Sequence, residues 1–191
     1  MNRAALVVIA VVATLTGCSR TKKIESPMKP LAAGLSMAAP ADKARVVIAR
    51  PFRGAAFRMT YHVIDNDNRY VGDTFNDSAF AIDLEPGVHK LCAGKGPSVN
   101  ATLAAGKTYL VRIDLTFTSV RAVPVKPGTD DFKELMASMG EIRGAELITP
   151  FTEDALKPDE VKEQATDCAD SDKDMSSEDR AAQSLAAADS I

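Results

Sequence analysis

Thr108-Tyr109-Leu110-Val111-Arg112-Ile113-Asp114-Leu115-Thr116-Phe117 is the stretch from which the architecture follows. Tyr109, Val111, Ile113, Leu115 and Phe117 recur at every second position, with Arg112, Asp114 and Thr116 between the last four. A period of two puts one set on each face of a strand, so this segment is a half-buried β-strand. Upstream, Ala105-Gly106-Lys107 turns the chain, and Val99, Ala101 and Leu103 repeat the pattern. Downstream, Val120 to Val125 is a last short strand that Pro124 confines to a sheet edge.

The same punctuation extends back to Ala44. Arg45 to Arg50, with Val46, Val47 and Ile48, forms a first strand ended by Pro51. Phe57, Met59, Tyr61 and Val63 alternate with Arg58, Thr60, His62 and Ile64, giving a greasy face and a mostly polar one. Asp65-Asn66-Asp67-Asn68 supplies four turn-forming residues before Tyr70-Val71-Gly72 resumes the sheet, which predicts a hairpin. Phe80, Ile82 and Leu84 alternate into Glu85-Pro86-Gly87-Val88, where Pro presets φ and Gly accepts a positive one, and Val88 to Ala93 is expected to run antiparallel back. Short strands at turn spacings of roughly eight to twelve residues predict a mainly β protein with a small antiparallel β-sandwich of seven to eight strands over residues 44–126.

The chain has 191 residues, 23 Lys plus Arg, 26 Asp plus Glu, two His, three Cys and no Trp, which suits one globular domain and excludes a large multidomain enzyme. The near-zero balance hides a split. Residues 19–126 hold 16 basic and 9 acidic side chains, and residues 127–191 hold 6 basic and 17 acidic. A nucleic-acid partner is not expected of an acidic, exported chain.

Arg3 precedes an unbroken apolar run from Ala4 to Ala13. Ten helical residues cover roughly 15 Å, half of a ~30 Å hydrocarbon core, so residues 1–17 fit an export signal better than a membrane span. Leu15-Thr16-Gly17-Cys18 resembles the lipobox of bacterial lipoproteins. The resemblance implies that the Cys18 sulfur receives a diacylglyceryl group, that cleavage makes Cys18 the first residue, and that fatty chains such as palmitate anchor it in the bilayer. Ser19, by resemblance to enteric sorting, implies the inner leaflet of the outer membrane, facing the periplasm, over the inner membrane. Two or three acyl chains suffice for stable anchoring. Residues 18–43, with Pro27, Pro30, Pro40, Gly34 and basic Arg20, Lys22 and Lys23, are expected to be a flexible tether of ~80 Å extended, or ~25 to 30 Å as a coil.

The order of the Arg-flanked Val-rich strand, the Tyr-containing strand leading to Gly72, Asn76 to Leu84, Glu85-Pro86-Gly87 and Ala105-Gly106-Lys107-Thr108-Tyr109 resembles a family of small, uncharacterised bacterial lipoprotein domains. Over Arg45 to Leu115 that resemblance implies a prealbumin-like sandwich, and it brings no activity with it.

Residues 127–191 change period. Thr129 or Asp130 can cap a helix carrying Phe132, Leu135, Met136 and Met139, with Gly140 as its stop. Pro158 starts a second short helix, and Ser176 with Asp179 caps an Ala-rich stretch with almost nothing to bury. The expectation is an acidic helical extension, partly disordered, of which only the first helix packs on the sandwich.

Candidate chemistry is sparse. Ala101 to Thr108 satisfies a relaxed phosphate-loop pattern, but a phosphate cradle needs a helix after the loop and Thr108 opens a strand. Asp65-Asn66-Asp67-Asn68 has Arg69 and Tyr70 where a calcium loop needs a ligand and Gly, and Asp170, Asp172 and Asp174 meet Met175 at the Gly position. No metal, cofactor or catalytic set is therefore expected. His89 and Cys92, three apart in a strand, point to opposite faces and form no local pair. With Cys18 committed to lipid, Cys92 and Cys168 remain for a disulfide in an oxidising compartment; a buried Cys92 with an exposed Cys168, or an intermolecular link, are the alternatives. The expected function is a non-catalytic binding or scaffolding lipoprotein of the envelope, held to the lipid bilayer through acylated Cys18, with an unknown envelope protein or glycan as partner. A small-ligand or glycan binder using a basic face around Arg58, His62 and Arg112 is the alternative, and an envelope hydrolase relying on His62 or His89 the third.

Overall fold

The computed structural model describes residues 28–31, 34–52, 59–66, 69–115, 119–147 and 158–191. Cys18, the segment before it, Arg20, Lys22, Lys23, Phe57, Arg58 and Phe117 lie outside the described residues. In chain order the first strands are Met28–Pro30 (β1), Ala44–Arg50 (β2), Tyr61–Asp65 (β3), Arg69–Thr74 (β4) and Ser78–Leu84 (β5). Gly87–Ala93 (β6), Val99–Leu103 (β7), Thr108–Leu115 (β8) and Val120–Val125 (β9) follow. The remainder comprises helix Asp130–Ser138 (α1), strand Arg143–Leu147 (β10), helices Pro158–Lys173 (α2) and Ser177–Ala182 (α3), strand Ser184–Leu185 (β11) and a 3₁₀ turn at Ala187–Asp189.

Two sheets face each other as a β-sandwich, one in the order β1-β10-β5-β2-β8-β9 and the other β11-β7-β6-β3-β4. Tyr109, Val111 and Ile113 of β8 point into the space between the sheets with Val46, Ile48, Phe80, Val63, Leu91 and Val99. The expected alternation therefore builds the main core. The sandwich is mixed rather than wholly antiparallel: β2 with β8, β5 with β10, and β7 with β11 run parallel. Such pairs need long connections, and here the intervening chain visits the other sheet before returning.

The expected β3–β4 hairpin forms, with a register shift between Val63 and Ile64. The expected hairpin across Glu85-Pro86-Gly87 does not: β5 pairs with β2 and β10, whereas β6 pairs with β3 and β7. Those residues form an arch from one sheet to the other. A turn signal sets where the chain reverses, not which neighbour each strand then meets.

Each sheet also has an apolar outer face under a helix. Val47, Ala49, Leu110 and Val125 pack with Leu135 of α1, joined by Phe132 and Met139. This explains why β2 is apolar at consecutive positions. On the other sheet Ile64, Tyr70 and Cys92 pack with Val161, Ala165 and Cys168 of α2.

The C-terminal region is thus part of the domain, which corrects the expectation of a frayed tail. Its α2 has 16 residues rather than being short, and β10 and β11 extend one sheet each. Leu185 is buried in the main core, and Ile191 N–H donates to the Thr108 carbonyl at 2.9 Å. The later part of the expected tether is docked too. β1 pairs with β10, Thr108 Oγ1 donates to the Met37 carbonyl at 2.7 Å, and Arg45 Nη1 donates to the Ser36 carbonyl at 3.2 Å. Neither segment carries enough periodic residues to announce itself, since each adds only two to five residues to an existing edge.

Gly72 of β4 faces Phe80 of the other sheet, and a Cβ there would stand 2.6 Å from Cε2 of that buried ring. Gly72→Ala is expected to lower stability by about 1–3 kcal/mol through overpacking, read as a lower urea midpoint at unchanged slope.

Candidate functional site

The outer face of the β3–β4–β6 sheet gathers most of the chemistry-bearing residues. Ile64 and Cys92 are register partners on β3 and β6, Ile64 and Tyr70 on β3 and β4, and all lie under α2. Cys92 and Cys168 form a disulfide with Cα atoms 6.4 Å apart, closing a sequence separation of 76. Around it, Gln164 Nε2 donates to the His62 carbonyl at 3.0 Å and Ser171 Oγ to the Lys95 carbonyl at 2.7 Å. Ser98 N–H donates to Asp172 Oδ1 at 2.8 Å, and Lys90 Nζ lies 3.0 Å from Asp172 Oδ2. The helix is held along its length by one covalent bond and a file of polar contacts.

His62 and Asp73 face each other across β3 and β4, with Nδ1 2.6 Å from Oδ1. The Asp73 side chain is 3% exposed and that of His62 28%, so a buried carboxylate orients a half-exposed imidazole. Facing a carboxylate oxygen, which can only accept, Nδ1 carries the hydrogen and donates it. The Tyr70 ring meets His62 edge-on at 5.9 Å. Burial, and then the Asp73 charge, push the Tyr70 phenol well above its ordinary range, so it remains a neutral hydroxyl.

His89 points the other way along β6, as the strand period requires. Its Nδ1 is 3.0 Å from Asp65 Oδ2 and its Nε2 2.8 Å from the Glu85 carbonyl. Both ring nitrogens meet oxygens, which fixes the arch between the sheets.

Arg112 lies under α1. Its Nε is 2.7 Å from Asp114 Oδ1 and its Nη1 3.1 Å from Asp131 Oδ1 in the first turn of the helix. Burial works against this charge, but the hydrogen bonds it donates to Asp114 and Asp131, with their negative charges, outweigh that and hold the guanidinium above its usual range. Among the residues expected to form one ligand face, His62 and Arg112 therefore belong to different sheets, each with its own carboxylates, and Arg58 lies outside the described residues.

The residue that sequence reading missed is Arg50. It is fully buried, donates from Nη1 to the carbonyls of Met59 at 2.6 Å and Thr74 at 3.2 Å, and lies 5.0 Å from the Tyr61 ring centroid. Desolvation pulls its guanidinium below the usual range. The arginine ending an apolar strand was the available signal, but nothing local says that it turns inward.

Other candidates find structural roles. Thr108 opens β8 directly after its turn, and Asp170 and Asp172 lie within helix α2 rather than in a loop. Among the described residues no group of three or more His, Cys, Asp or Glu gathers to hold a metal ion. A cleft of about 370 Å³ opens beside β7, lined by Val88, Asn100, Thr102, Lys126, Ser184 and Asp189, among others. The chain matches no protein-family model, no curated protein and no solved structure.

Two outcomes are expected from this geometry. Cys92→Ser with Cys168→Ser loses about 4–5 kcal/mol in the chain-entropy account, seen as a fall in the guanidinium midpoint that reductant reproduces in the native chain. Arg112→Ala loses about 3 kcal/mol because the Asp114 carboxylate is left partly buried, whereas a residue serving only a ligand would leave the midpoint unchanged.

Proposed function

We propose that this chain is a lipid-anchored lipoprotein of the bacterial envelope whose sandwich is a non-catalytic binding or scaffolding module. The observation that carries the reading is the Cys92–Cys168 disulfide. Structural disulfides persist in oxidising compartments, and the export signal and lipobox direct the chain to one. The two features come from opposite parts of the sequence and agree. Among the described residues no helix is long and apolar enough to cross a membrane. Attachment in this reading is through acyl chains on Cys18, with Ser19 favouring the outer membrane.

The ionisable residues support a scaffold. Arg50, His89 and Arg112 each tie elements together, and His62 is held by Asp73. A module so braced presents a rigid surface, which keeps the ordering cost of binding low.

A second reading, a small-ligand or glycan binder, is favoured by the cleft beside β7, whose volume falls in the lower range for small-molecule sites. It moves the ligand away from His62 and Arg112. Oligosaccharide fragments of the envelope that raise the thermal midpoint of the native chain but not of Asn100→Ala support this reading over scaffolding.

Mass spectrometry of the native protein tests the first reading. The N-terminal peptide is expected to begin at Cys18 and carry diacylglyceryl mass, and Cys18→Ser is expected to move the protein from the membrane to the soluble fraction. An unmodified Cys18 in membrane-bound protein overturns it.

A further inference from the structure

β1 is antiparallel to β10, β10 is parallel to β5, and β5 is antiparallel to β2. The first strand therefore runs in the same direction as β2, and Met28 enters on the side where β2 and β8 begin and β5 ends. That end also holds Lys43, Glu85, Lys107 and Lys126, and the C-terminal Ile191 is bonded to Thr108 there. The Phe75–Asp77 and Gly94–Gly96 turns lie at the opposite end, beyond β4 and β6.

Docking of β1 shortens the leash. Residues 18–43 as a free tether would reach ~80 Å, but from Cys18 to Met28 there are only ten Cα steps, at most ~35 Å and about 16–19 Å as a coil. The seven-residue strands make the sandwich about 23 Å long. A leash of that coil length would be shorter than the body it holds. Resting on the lipid-anchor reading above, we propose that the sandwich rides with its Lys43–Lys107 end against the bilayer holding Cys18 and turns the Gly94–Gly96 end to the periplasm.

Charge does not oppose this arrangement. Lys43 pairs with Glu85, Lys126 lies 4.0 Å from Asp189, and exposed Asp42 stands against exposed Lys107, so the charges of these residues offset one another. Leash length, rather than attraction to anionic headgroups, sets the orientation. A partner fixed in the envelope then meets the module from the Gly94–Gly96 side.

The test uses the lipidated full chain in vesicles of phosphatidylethanolamine and phosphatidylglycerol that carry a short-range quencher on the headgroup. A fluorophore is placed at Lys107→Cys or at Lys95→Cys. Quenching at position 107 is expected to exceed that at 95 by about three-fold or more, given the ~23 Å between the ends. Inserting about 20 Gly and Ser residues after Ile24 is expected to bring the two values together, because a leash of that length outreaches the body. Equal quenching on the native leash, with Cys18 acylated and vesicle binding abolished by Cys18→Ser, overturns the orientation and leaves the anchor standing. Vesicle binding that survives Cys18→Ser overturns the anchor reading itself.

Discussion

Val47, Ala49, Ala79 and Leu110 point away from the sandwich interior, and Ile64, Tyr70 and Cys92 do the same on the other sheet. Two sheets that are apolar on both faces cannot stop at a sandwich, because the outer faces would remain in water. The rest of the molecule answers that constraint. Leu135 and Phe132 of α1, with Met139 just after it, cover one face, and Val161 and Ala165 of α2 cover the other. Burying a medium-sized apolar side chain contributes about 1.5–3 kcal/mol, so a two-residue helix contact alone is thin cover for the second face. The disulfide is placed where that cover is thinnest.

The charge split in the sequence has a structural counterpart. Lys90 with Asp172, Lys95 with Asp167, Arg112 with Asp131 and Lys126 with Asp189 all join the basic first part to the acidic last part. Pairs as exposed as Lys95–Asp167 contribute little each. Their combined effect is registry: an acidic helix finds a basic sheet surface, and the buried contacts of Arg112 and Asp172 then fix the position.

Much of the sandwich was legible because its strands alternate strictly. β8 is the clearest case, since Tyr109, Val111 and Ile113 must share a face whatever their partners are. Pro124 correctly marked an edge: β9 ends its sheet. What could not be read depends on contacts distant in sequence. The Glu85–Gly87 turn carries the same residues whether it closes a hairpin or arches between sheets. Met28–Pro30 and Ser184–Leu185 become strands only because β10 and β7 offer open edges. The candidate site divides the same way. Cysteine parity and compartment pointed to the Cys92–Cys168 pair, while the proposed grouping of His62 with Arg112 assumed a shared face that the two-sheet topology denies.

The edges bear on how such a module can bind. Strand addition needs a long, regular row of free backbone groups. Here β1 has three residues and ends in Pro30, β11 has two, and β9 contains Pro124. At β4 the side chains from Tyr70 to Thr74 are buried, and the Thr74 carbonyl accepts from Arg50. Both outer faces lie under helices. Extended-peptide pairing therefore has little to grip among the described residues, and in the binding reading proposed above recognition falls to the turns at the strand ends. A loop-end surface has no backbone ladder to orient its partner, so its specificity rests on the side chains presented and on how firmly the frame holds them. In this frame Arg50 ties the end of β2 to β4, and His89 ties β6 to the chain leaving β5, so the two ends of the sandwich are each locked by one buried polar side chain.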